Sequence, residues 1–131
     1  ERTLFPSGIY SQTTTNSTGN AGNILVETPR LVVQNQGAIA STTFGQGTGG
    51  DIQIRTNNGS VLLNNGSILS GVGTNASGSS GAIDLETGDL NLINAGLIQS
   101  QTLGAGDAGT IQIRATNSVQ LAGTNTTIRT G

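Results

Sequence analysis

Seven side chains of this 131-residue sequence carry a carboxylate, the one general acid-base group it has in number: Glu1, Glu27, Asp51, Asp84, Glu86, Asp89 and Asp107. Hydrolysis of a glycosidic bond needs two such groups about 5 to 10 Å apart. Asp84 and Glu86 are the pair that spacing favours. Two residues apart on an extended strand, they share one face roughly 7 Å from each other. With nearby arginines they form the candidate carbohydrate site, either binding or catalytic. Asp51 stands where the neighbouring repeats carry Asn23 and Ala82, so it has no partner of its own kind. The competing account treats Asp84 and Glu86 as solvated charges, with Glu86 paired to Arg55 and Arg114. Exposed pairs of that sort contribute about 0 to 1 kcal/mol, and nothing else supplies the Arg, Lys or His cluster that a lyase base requires.

The residue types that are missing narrow the chemistry further. The chain has no Cys, His, Lys, Met or Trp, which removes thiol chemistry, imidazole or thiolate metal sites, Ser-His-Asp triads and lysine Schiff bases from this sequence. The expectation is no catalysis and no cofactor. The glycine runs Gly45-Gln46-Gly47-Thr48-Gly49-Gly50 and Gly104-Ala105-Gly106-Asp107-Ala108-Gly109 resemble a calcium-binding nonapeptide, yet the aspartate does not recur from repeat to repeat as that motif requires. They also lack the Gly-Lys-Ser/Thr ending of a phosphate loop. Threonines at Thr13-Thr14-Thr15, Thr42-Thr43 and Thr102 suggest an ice-binding array, but Gly71-Val72-Gly73 interrupts it. Sequons at Asn16, Asn58, Asn65, Asn75 and Asn125 arise by chance in a chain so rich in Asn, Ser and Thr. A formal charge of −2 with five scattered arginines gives no basic patch for nucleic acid. No apolar run approaches the ~20 residues needed to span a membrane, so insertion by this segment is not expected.

The elements that must position these side chains follow from a repeat. A glycine followed by apolar residues at the second and fourth positions occurs at Gly22, Gly50, Gly81 and Gly109, with periods of 28, 31 and 28 residues. Such periods mark a solenoid. Three apolar pairs recur within each period. The first is Ile24/Val26, Ile52/Ile54, Ile83/Leu85 and Ile111/Ile113. The second is Leu31/Val33, Val61/Leu63, Leu90/Leu92 and Val119/Leu121. The third joins an isoleucine to a hydroxyl at Ile39/Ser41, Ile68/Ser70, Ile98/Ser100 and Ile128/Thr130, with Ile9/Ser11 as an earlier copy. Alternate spacing puts each pair on one face of a strand. Length varies only between the pairs, where Asn57-Asn58-Gly59, Asn64-Asn65-Gly66, Thr87-Gly88-Asp89 and Asn94-Ala95-Gly96 read as turns.

The expected fold is an all-β parallel β-helix, or β-solenoid, of about four to five triangular coils with three short strands each. One domain covers residues 1–131, with a partial coil at 1–21, coils at 22–49, 50–80 and 81–108, and a partial coil at 109–131. Stacking would line up Glu27, Arg55, Glu86 and Arg114 as an outward ladder of alternating charge. The function expected of such a repeat is a structural shaft segment; the alternative is a subunit that polymerises end to end into an extracellular filament, since open β-edges at both ends would template pairing with another copy.

The phrase Gly-x-Ile-x-Ile, then Val-x-Leu, then Ile-x-Ser with the turn Thr43-Phe44-Gly45-Gln46-Gly47, resembles the repeats of filamentous-haemagglutinin-like exoproteins. It is most similar to the long two-partner-secretion and S-layer-type surface proteins common in cyanobacteria. The resemblance runs from about Gly8 to Gly131. It implies a right-handed β-helix, export through a partner outer-membrane channel, and a place outside the cell or on the outer surface of a Gram-negative bacterium. It also implies a role in adhesion, aggregation or the envelope, with partners among surface glycans, other cells or further copies of the chain. The secretion domain of that family, with its Asn-Pro motifs, does not occur in this sequence.

Overall fold

The computed structural model describes residues 6–131. Among them there is no helix, and eleven strands account for the regular structure: β1 (Gly8–Gln12), β2 (Ile24–Glu27), β3 (Arg30–Gln34), β4 (Ala38–Thr43), β5 (Ile52–Arg55), β6 (Ser60–Asn64), β7 (Ser67–Val72), β8 (Ile83–Ile93), β9 (Leu97–Thr102), β10 (Ile111–Ala122) and β11 (Thr127–Thr130). Every strand pairing is parallel and joins a residue to its counterpart one coil away. The chain is a β-solenoid of about four turns. One sheet stacks β1-β4-β7-β9-β11, and the other holds β2, β5, β8, β6 and β3 with β10 against β8.

The apolar pairs dictate this register. Ile24 stands over Ile52, Ile52 over Ile83 and Ile83 over Ile111. The second and third pairs stack likewise, from Leu31 through Val61 and Leu90 to Val119 and from Ile9 through Ile39, Ile68 and Ile98 to Ile128. A slip of one residue would turn every member of a column to solvent. In the middle coils the columns are sealed: Ile52, Ile54, Leu63, Ile83, Leu85 and Leu92 have no exposed surface. At the ends they open, with Ile9 48% and Val119 53% exposed.

The repeated glycine stays because its neighbour is close. Gly22, Gly50, Gly81 and Gly109 do not have the left-handed backbone that favours glycine. Instead, a Cβ on Gly50, Gly81 or Gly109 would collide with the carbonyl of the repeated glycine one coil before it, and on Gly22 with Ser11. The serine of the third pair locks this corner. Ser41 Oγ accepts the Gly50 N–H (3.0 Å) and donates to the Gly22 carbonyl (2.8 Å). Ser70 does the same between Gly81 (2.9 Å) and Gly50 (3.0 Å), and Ser100 between Gly109 (2.9 Å) and Gly81 (3.0 Å). These serines are buried, so each supplies a donor and an acceptor where water cannot.

One corner departs from expectation. Thr87-Gly88-Asp89 reads as a turn, yet β8 runs through it, and β10 runs through the equivalent place with a bulge between Ala115 and Ser118. The first two strands of the later coils are therefore one bent strand. In the first coil the same corner holds Pro29, which has no N–H to give a ladder, and in the second it holds Asn57 and Asn58 in left-handed conformations. Neither feature is present at Thr87-Gly88-Asp89. Thr87 points inward instead: its Oγ1 accepts from Thr56 Oγ1 (2.7 Å) and donates to the Gly59 and Asp89 carbonyls (3.2 and 3.1 Å).

Candidate functional site

Asp84 and Glu86 lie on β8 at alternate positions of one half-exposed face. The fold gives them different neighbours. Glu86 sits between Arg55 of β5 and Arg114 of β10, its register partners. Arg55 Nε is 3.5 Å from Glu86 Oε2, and Arg114 donates to Glu86 Oε1 at 3.1 Å. With both oxygens engaged by guanidiniums, this carboxylate is poorly placed to attack a sugar carbon.

Glu27 completes the ladder in register, opposite Arg55. Among the described residues, however, it forms no ion pair, because Arg55 turns to Glu86. The alternating column is thus one Arg-Glu-Arg triad with an acid above it. Its pairs are exposed, so it adds little to stability.

Asp84 is flanked in its own column by Gln53 and Gln112. Its Oδ1 is buried and has no hydrogen-bond partner. The cavity at this corner, about 340 Å³, is lined by Arg55, Asn58, Glu86, Arg114 and Thr116 among others, and Asp84 is not part of it. The two carboxylates share a face but converge on no common space.

Of the remaining acids, Glu1 lies outside the described residues, and Asp51, Asp89 and Asp107 meet the backbone, a serine or solvent. Asp51 Oδ1 accepts the Ala82 N–H (2.8 Å), just as Asn23 Oδ1 accepts the Asp51 N–H (2.9 Å). Asn23 and Asp51 are therefore equivalent caps in adjacent coils. Asp89 Oδ1 accepts from Ser118 (2.6 Å). Asp107 is exposed, and its backbone joins Ser79 and Ser80 of the coil before. Among the described residues no three acidic side chains gather in a group that could hold a metal ion.

The buried hydroxyls escaped the sequence reading in part. Thr43, Thr56 and Thr87 look like corner residues, yet they are buried and bridge coils, Thr43 by a 2.6 Å contact with Thr13. Their signal is position: each falls on an inward parity of its strand. No protein-family model, curated protein or solved structure matches the chain.

Proposed function

We propose that the chain is a structural shaft segment of an exported cell-surface protein, without catalytic activity of its own. The observation that carries this reading is the unbroken register of apolar columns and serine-locked corners through successive coils. Such a unit builds length by repetition, because each coil contacts only its neighbours. The best-spaced acid pair supports the non-catalytic side, since Glu86 is taken up by two arginines. Export and surface placement rest on the resemblance of the repeats to filamentous-haemagglutinin-like exoproteins.

Labelling of the source cells with antibody raised against this segment tests the proposal. Intact, unpermeabilised cells should label. Labelling that appears only after permeabilisation would contradict it.

A further inference from the structure

The outer face of the β4-β7-β9 sheet carries a notch that stacking does not require. Phe44 follows β4, Gly73 follows β7 and Leu103 follows β9, so the three succeed one another in neighbouring coils. Phe44 is 43% and Leu103 57% exposed. The Phe44 ring lies on Gly73, where an added Cβ would stand 2.6 Å from Cδ1. Beside them, Thr42, Gly71 and Gln101 are in register. Gly71 is the unusual member. A Cβ built there meets nothing nearer than 3.7 Å and the backbone is not left-handed, so neither close approach nor conformation demands glycine. A glycine inside a strand weakens it, and such a position often marks the approach of a ligand.

The notch has a volume of about 220 Å³. Beyond Phe44, which borders both, a wider concavity of about 640 Å³ is lined by Thr14, Thr15, Thr74 and Asn75 among others. Its polar groups are hydroxyls and amides, and among the described residues no ionisable side chain lines either space. Gln99 is buried and donates to Gln101 Oε1 (2.7 Å), while Arg129 donates to Gln99 (3.4 Å). Gln101 is thereby held with its amide N–H groups free to donate.

We infer that this trough binds an uncharged polysaccharide, with one pyranose ring seated over Gly71 between Phe44 and Leu103. A pyranose presents apolar C–H faces and a rim of hydroxyls. The half-exposed aromatic ring and the leucine match the faces, and the Gln101 amide and threonine hydroxyls match the rim. The absence of charge in the lining matches a neutral sugar and disfavours a uronate or sulfated one.

Calorimetric titration of the chain with cellohexaose, chitohexaose, maltohexaose and the charged hexagalacturonate tests the inference. At least one neutral hexasaccharide should bind with a dissociation constant of about 1 mM or tighter. Phe44→Ala should weaken it by about tenfold or more, and Gly71→Val, which fills the notch, should do the same. Gln101→Ala gives a third measure that leaves the apolar walls intact. All three variants should keep the parent's circular dichroism spectrum, and Gly71→Val should unfold at an equal or higher temperature, since it replaces a glycine inside a strand. Failure of every neutral probe, equal binding by the variants, or preference for hexagalacturonate would overturn the proposal. So would a concentration-dependent dimer lost in Phe44→Ala without sugar binding, which would assign the face to a second copy. Cell-surface labelling is independent of these results, so the shaft reading can fail or stand separately.

Discussion

At the turn before the third strand of three successive coils, two residue types divide the work. Asparagine supplies left-handed backbone, at Asn35 (φ 54°), Asn65 (φ 53°) and Asn94 (φ 50°) in successive coils. The glycine that closes each of those turns has an ordinary φ and is kept for space: a Cβ on Gly66 would strike the Val33 carbonyl, and one on Gly96 would crowd the Leu63 carbonyl. Gln36 and Ala95, both at φ 67°, fit neither role. A left-handed residue with a Cβ costs about 1 to 2 kcal/mol, partly offset in any comparison by glycine's greater freedom when unfolded. Ala95→Gly should therefore raise the unfolding free energy by about 0.5 to 1 kcal/mol. A urea titration reads this as a higher midpoint, and a lower one would contradict the assignment.

At the scale of the element, corner and strand are joined by the serine bridges. Ser70→Ala strips the Gly81 N–H of its acceptor and the Gly50 carbonyl of its donor, both in a buried corner. Each orphaned group costs about 1 to 3 kcal/mol, so the variant should lose roughly 2 to 6 kcal/mol in denaturant unfolding. Ser118→Ala removes an exposed bond to Asp89 and should change stability by less than about 0.5 kcal/mol. Equal effects would show that the corner serines are not the locks. The strand columns and the charge register were legible in the sequence because an apolar residue at every second position tolerates no slip. The fused corner at Thr87-Gly88-Asp89 was not, because its composition is that of a turn and only the inward parity of Thr87 argues otherwise. Asp84 and Glu86 lie on one face of β8, as alternate spacing on a strand dictates, and the pairing of Glu86 with both arginines follows from the same register. What spacing could not reveal is that Arg55 leaves Glu27 for Glu86, or that Phe44, Gly71 and Leu103 line one notch. Those residues lie about a coil apart in sequence and become neighbours only through stacking.

The whole molecule draws its stability from columns that are sealed in the middle and open at the ends. Fully buried Ile, Leu and Val side chains contribute about 1.5 to 3 kcal/mol each before entropy is subtracted, and in this chain they belong to the central coils. Every functional inference depends on that stack: the triad around Glu86, the serine corners and the trough exist only if residues one period apart are neighbours. Cysteine is absent from the chain, so spin labels can be placed without background. The double variant Gln53→Cys/Gln112→Cys sets labels on either side of Asp84 in one outward column, with two strand spacings putting their Cα atoms about 10 Å apart. The electron paramagnetic resonance spectrum should show strong dipolar broadening that neither single variant shows. A spectrum equal to the sum of the two singles would contradict the stacked register, and with it the account of the molecule as a β-solenoid.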